Sequence, residues 1–365
     1  MAGLETMVAL RELAGELVST ELLSPEHHFW YRPLSVAEPF DGSRIPRFEL
    51  PQVASAAGAE FTAGALVAID ADAHVAYTSR GAELPYDVIV VACGTRSIEA
   101  LEGALTFRGP SDTERLQALL DEIERGEASR VVFVLPQRAG WSLPLYELAL
   151  LTADRLEQRG VDSVDLDLVT HEQRPLSFFG PQAAAAVSEL LRRRGIALHT
   201  GRRPVSFRDG WLELDEERVL AADRVVALPR LEGHRIAGVP CNGEGFVDVD
   251  RSGRVEELED VYAAGDITAF PIKQGGIAAQ QADIVARAIA ERAGAEVEHD
   301  RPELVAYAVL LTGGEPLYLR AELGVGHEDA TTLTSEPLFW PPSKIAARYL
   351  APFLAGHGED SVVLR

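Results

Sequence analysis

The chain has 365 residues, with 34 basic against 57 acidic side chains and a formal net charge of −23 at pH 7. Such a surface repels phosphate backbones and anionic headgroups, so nucleic acid and polybasic membrane contacts are excluded as leading partners. Apolar residues make up 47% of the chain and charged residues 25%, enough to bury a core for about two domains. No apolar run approaches the roughly 20 residues of a bilayer span, and the start lacks the basic-then-apolar plan of a signal peptide. A soluble, cytoplasmic protein is expected. Cys93 and Cys241 lie too far apart for a disulfide framework or a zinc site, and the nine histidines show no metal-ligand spacing, so no metal is expected. Lys273 and Lys344 are the only lysines in a chain that otherwise uses arginine. That scarcity marks them as positions where a compact ammonium is needed.

In chain order, periodicity predicts a helix over 4–14, a strand over 17–23 and a Pro-containing loop over 24–39. A β-rich stretch follows, with strands over 61–69 and 75–78 leading to the apolar run 88–92, which ends at Cys93-Gly94. A continuous apolar strand of this kind suits a parallel sheet covered on both faces. Ser111 with Glu114 reads as a capping box opening a helix to about 125. Strand 130–135, helix 144–159, strand 164–170, helix 181–194 and strand 196–199 then form a βαβαβ mononucleotide-binding half. An antiparallel meander is expected over 204–228, turning at Asp209-Gly210 and around Glu216. Beyond it lie strands at 246–249 and 261–264, a helix from Gly275-Gly276 to about 293, a strand over 306–311 and an amphipathic helix over 343–354. The fold class is α/β, with two Rossmann-like three-layer dinucleotide-binding domains plus a small C-terminal region.

The motif Val261-Tyr262-Ala263-Ala264-Gly265-Asp266 is followed by Pro271-Ile272-Lys273-Gln274-Gly275-Gly276 and a helix through Gln280, Gln281 and Ala282. A second motif reads Val90-Val91-Ala92-Cys93-Gly94-Thr95. With these the sequence resembles, over nearly its whole length, the flavoprotein oxidoreductases with two dinucleotide-binding domains. That superfamily includes pyridine nucleotide-disulfide reductases, type II NADH dehydrogenases and sulfide:quinone reductases. The resemblance implies an FAD-binding domain from residues 1–110 and 240–300, a second nucleotide-binding-like domain over 111–239, and an interface or flavin-covering region over 301–365. It implies that Asp266, behind Gly265, accepts hydrogen bonds from the FAD ribityl and phosphate region. Gln274, Gly275 and Gly276 would aim a positive helix end at the flavin pyrimidine edge, where Lys273 adds a full charge and acts catalytically by stabilising reduced flavin. Cys93 and Gly94 would pass near the cofactor, with Cys93 as a small buried residue, and Tyr31, Arg32 and Pro33 would approach it after the second strand. Gly3 stands where the third glycine of a dinucleotide fingerprint packs helix on sheet. The strand and two glycines that precede it in relatives are absent, so the chain is expected to be N-terminally truncated. Ser24 or Glu26 would replace the usual acidic residue for the adenosine ribose.

The second unit departs from the pattern. Residues 136–147 read Pro-Gln-Arg-Ala-Gly-Trp-Ser-Leu-Pro-Leu-Tyr-Glu, with Leu145 in place of the third glycine and Pro144 offering no N–H to a pyrophosphate. Ordinary NADH docking is disfavoured. The turn looks most like that of sulfide:quinone reductases, yet Trp141 and Ile267 stand where two of their redox cysteines align. In the tail, Trp340 and Lys344 are candidate acceptor-side catalytic residues, with Lys344 and Arg348 one helical turn apart. A docking or homodimer helix is the alternative, and its short length argues against a strong membrane anchor. The leading functional expectation is an FAD-dependent oxidoreductase passing electrons between a small-molecule donor and a quinone-like or other acceptor. An NAD(P)H:acceptor flavin reductase and a non-catalytic binding or scaffold protein are the alternatives.

Overall fold

The computed structural model describes residues 1–42, 44–298, 303–323 and 331–357. Its most regular layer is a five-stranded parallel sheet in the spatial order Leu105–Thr106, Arg224–Ala227, Arg130–Val134, Asp165–Val169 and Ile196–His199. The strand Arg130–Val134, apolar from Val131 on, lies between parallel neighbours, and Val131, Val132 and Val134 are fully buried. Both faces of that strand are covered, which is why it reads as continuous rather than alternating hydrophobicity. Helices Leu143–Arg159 and Gly180–Arg193 make the crossovers. The meander is antiparallel, pairing Pro204–Arg208, Trp211–Leu214 and Val219–Ala221. Its turns fall where Asp209-Gly210 and Glu216-Glu217 take positive φ, as two-residue hairpins require.

The first unit is assembled from two short parallel ladders, Glu21–Ser24 with Glu60–Ala63 and Ile89–Val91 with Val261–Ala263. Helices Ala2–Ala14 and Gly275–Arg292 share a core of small side chains in which Ala9, Ala282 and Ala286 are wholly buried. Alanine there lets the two helix backbones approach closely. The two units are joined by paired antiparallel strands, Thr95–Ile98 and Arg230–Gly233. A three-stranded antiparallel sheet, Val305–Leu310, Leu317–Glu322 and Thr331–Thr334, forms the C-terminal layer. No described helix is long and apolar enough to cross a membrane.

Several local expectations are corrected. The strand expected over 17–23 begins only at Glu21, after a short helical turn at Gly15–Leu17, and the stretch 61–69 divides into Glu60–Ala63 and Leu66–Asp70. No capping box opens helix Thr113–Glu124. Its N-cap is Asp112, whose carboxylate instead accepts from the Arg108 N–H at 3.0 Å and from Arg115 at 2.9 Å. The stretch 246–249 makes only isolated bridges. The tail helix starts at Leu350 rather than at 343. The buried Glu5 carboxylate takes the N–H groups of Tyr349 and Leu350 at 3.0 and 2.7 Å and so caps the helix where it begins. Lys344 and Arg348 therefore do not share a helix face. The end of the expected C-terminal region, 358–365, lies outside the described residues.

Candidate functional site

Two glycine-led helices converge on the end of strand Val261–Ala263. At Gly3 an added Cβ would lie 3.4 Å from the Ala92 Cβ, so the first turn of Ala2–Ala14 already packs against the end of the Ile89–Val91 ladder. Gly265 has φ +81°, and a Cβ there would come within 2.9 Å of the Ala2 Cβ and 3.3 Å of the Ala278 Cβ. Glycine is required on both counts, conformation and space. Gln281 fixes this turn by accepting the Gly265 N–H at 2.7 Å, while the Thr268 hydroxyl donates to the Gly265 carbonyl at 2.9 Å. Gly265→Ala is expected to lower the unfolding free energy by about 1–3 kcal/mol. A shift in urea midpoint would register it, and an unchanged midpoint would show that the helices can move apart freely.

The turn presents Asp266. Burial pushes its carboxyl above the ordinary range, and the charges of Lys273 and Arg32 pull it back. Among the described residues only charges, and no hydrogen-bond donor, act on this carboxylate, which leaves its oxygens available as acceptors. Lys273 lies with its ammonium 3.9 Å from the centre of the Phe246 ring and donates to the Thr268 carbonyl. Desolvation by burial lowers the lysine to about 8, with Asp266 and Glu244 opposing the shift. Its backbone N–H donates to the Gly140 carbonyl at 3.1 Å. A Cβ on Gly140 would meet the Lys273 Cγ at 2.5 Å, so the loop after Arg130–Val134 rests directly on this lysine.

Gln274 caps the Gly275–Arg292 helix. Its Oε1 accepts the Ile277 N–H at 2.9 Å and its Nε2 donates to the Tyr307 carbonyl at 2.8 Å, so both ends of the amide are engaged within the protein. The tail reaches the same helix end, because a Cβ on Gly275 would meet Ile345 Cδ1 at 2.4 Å. Tyr31 is buried against this segment. Burial pushes its phenol up to about 12, with Ser343 and the backbone of Ile345 and Lys344 close to the hydroxyl. Arg32 is exposed, and Pro33 and Gly94 are half-buried. Cys93 is exposed by surface area, contrary to the expected burial, yet its sulfur is crowded enough by protein to push the thiol up to about 11. Either environment leaves a neutral thiol at neutral pH. Neither cysteine is disulfide-bonded.

Gly3, Arg32, Gly265, Asp266 and Lys273 thus form one neighbourhood, and Gln274, Gly275, Gly276 and Tyr31 adjoin it through the tail. Trp340 is 85% exposed. Lys344 is buried away from solvent, ion-paired with Glu147 and donating to the Val309 carbonyl at 2.7 Å. Sequence reasoning did not assign Gln281, Glu147 or Glu172. Glu147 carried a signal, being the one charged residue in the apolar run 143–153; Gln281 stood in the motif helix, but its role depends on a turn sixteen residues earlier.

A parallel-sheet unit joined by paired strands to a second α/β unit, with glycine-led helices meeting at a strand end, defines a two-domain dinucleotide-fold protein. The chain belongs to the Pyridine nucleotide-disulphide oxidoreductase family, whose model matches residues 1–308. That is a family of oxidoreductases. It is 29% identical over 257 residues to NADH dehydrogenase-like proteins from two strains of Mycobacterium tuberculosis, a match covering 64% of this chain and 63% of theirs. Among solved structures, the sulfide:quinone oxidoreductase of Aquifex aeolicus superposes with TM-score 0.81 at 20% identity, covering 92% of this chain and 85% of that one. The ferredoxin reductase for the CYP199A2 system of Rhodopseudomonas palustris superposes with TM-score 0.67 at 20% identity, over 88% and 80% of the two chains. These likenesses establish the fold.

Proposed function

We propose that the chain is an FAD-dependent oxidoreductase that passes electrons from a small donor to a quinone-like acceptor. The observation that carries this reading is the convergence of two glycine-led helix ends, Arg32 and Lys273 on the unpaired acceptor Asp266. These residues fit the cofactor. Asp266 would hold its hydroxyls, Arg32 and the Gly3 helix end its phosphates, and Lys273 with the Gly275 helix end its pyrimidine edge. When bound, FAD supplies reversible two-electron storage. The chain's own part is to orient it and to hold a positive charge at the edge where negative charge develops.

A nicotinamide dinucleotide is disfavoured as donor. Leu145 is fully buried at the position a close-approach glycine would need, and Pro144 beside it offers no N–H to a pyrophosphate. The name of the mycobacterial relatives favours the second reading, an NAD(P)H:acceptor reductase. FAD titration of the purified protein tests the main proposal: saturable binding is expected, weakened at least about tenfold in Asp266→Ala, as loss of a charge-assisted hydrogen bond implies. Absence of saturation would overturn it. Anaerobic mixing of the flavin-loaded protein with NADH or NADPH is expected to leave the flavin absorbance unchanged, whereas prompt bleaching would select the second reading.

A further inference from the structure

A cavity of about 160 Å³ opens at the C-terminal edge of the five-stranded sheet. An apolar cavity of about 150 Å³ accommodates one benzene ring, so this one has room for a single ring. Three of its walls are aromatic. Trp141, Phe178 and Phe179 meet edge to face, with centroids 6.3, 5.9 and 5.2 Å apart and interplanar angles of 73–82°. This arrangement is favoured by the ring quadrupoles and keeps the walls rigid. Ile272 lines the same space one residue before Lys273, which sets the cavity beside the proposed flavin edge.

The polar wall is equally specific. The Glu172 carboxylate is held by three hydroxyls: Ser142 at 3.0 Å on one oxygen, and Tyr146 at 2.5 Å and Thr170 at 3.2 Å on the other. A carboxylate offers about four acceptor sites, so one remains for a ligand donor. His171 lines the cavity too, and its Nδ1 is buried without a hydrogen-bond partner among the described residues. Buried polar atoms are nearly always satisfied, and those left over call for a partner. The free acceptor site on Glu172, with the unpartnered His171 Nδ1 beside it, suits a hydroxyl on a flat ring, and the charge of Glu172 disfavours a carboxylate or phosphate.

We infer that this cavity binds a single-ring phenol of the hydroquinone type, stacked among Trp141, Phe178 and Phe179 with a hydroxyl donated to Glu172. The inference deepens the proposed function by placing the reduced, hydroquinone form of the quinone-like acceptor, the product of its two-electron reduction, in this cavity, and so rests on that reading for its redox meaning. Binding itself needs no cofactor. The test is calorimetric titration of the protein, without and then with FAD, using 1,4-hydroquinone, benzoate and tetramethylammonium as probes. Saturable hydroquinone binding is expected in both, with benzoate silent. Glu172→Gln and Trp141→Ala should each weaken it about tenfold, while Trp141→Phe, which keeps an aromatic wall, should retain most of it; thermal unfolding of each variant confirms that it is folded. Equal hydroquinone affinity in folded Glu172→Gln and wild type would overturn the inference. So would binding of tetramethylammonium alone, which would mark a cation cage. Hydroquinone binding without FAD binding would leave the cavity assignment standing and defeat the flavin proposal; the reverse result would do the opposite.

Discussion

Replacing Glu147 with Ala should destabilise the protein by about 3–5 kcal/mol, the cost of stranding the buried partner of a broken ion pair. The Glu147 side chain is 1% exposed and that of Lys344 4%. Burial pushes the carboxyl up and the ammonium down, each tending to neutralise the group, and their mutual attraction opposes both shifts. The pair is completed by backbone: Glu147 accepts the Leu311 N–H at 2.9 Å, and Lys344 donates to the Val309 carbonyl. It therefore ties helix Leu143–Arg159 to strand Val305–Leu310 and to the tail. A double variant, Glu147→Leu with Lys344→Met, removes both charges at once and should recover most of the loss. Urea unfolding of Glu147→Leu, of Lys344→Met and of the double variant gives the coupling energy. If the losses simply add, the strut is not an energetic unit. On our reading Lys344 is a positioning residue that seats the segment bearing Ile345 against Gly275.

Lys273→Met should make the two-electron midpoint potential of the flavin-loaded protein more negative by about 30–60 mV, equivalent to about 1.4–2.8 kcal/mol. The physical cause is loss of a positive charge beside the reduced cofactor. Because the lysine titrates near 8, the wild-type advantage should fade as pH rises through about 8 and be absent from the variant at every pH. Stability changes in a defined direction as well. The folded value lies below the ordinary 10.5, so between about 8 and 10.5 the unfolded chain binds more protons than the folded one. Stability should then rise with pH across that window, and the rise should be missing in Lys273→Met. An unchanged potential would dismiss the electrostatic role even if the stability profile behaved as expected.

The alternation of elements was legible because it depends on local periodicity. The run at 131–135 is apolar throughout and became most of the strand Arg130–Val134 in the middle of a parallel sheet, while Asp209-Gly210 became a hairpin turn. Boundaries failed where a tertiary contact chose among local options. Glu5, 345 residues away, sets the start of the tail helix by capping Leu350. Likewise the Ser111 hydroxyl donates to Asp112, itself held by Arg108 and Arg115, instead of making the cap its spacing suggested.

Lysine scarcity singled out two positions, and the structure separates their environments. Lys273 sits between Phe246, Thr268 and the Asp266 charge at the meeting of two glycine-led helices. Lys344 is consumed by Glu147 in the interior. By itself the sequence determined the α/β alternation, the acidic surface and the Gly265-Asp266 turn, since these follow from composition, period and the backbone demands of adjacent residues. Only the tertiary structure decided which charged groups face one another, because a side chain's partner is set by the packing of segments that are remote along the chain.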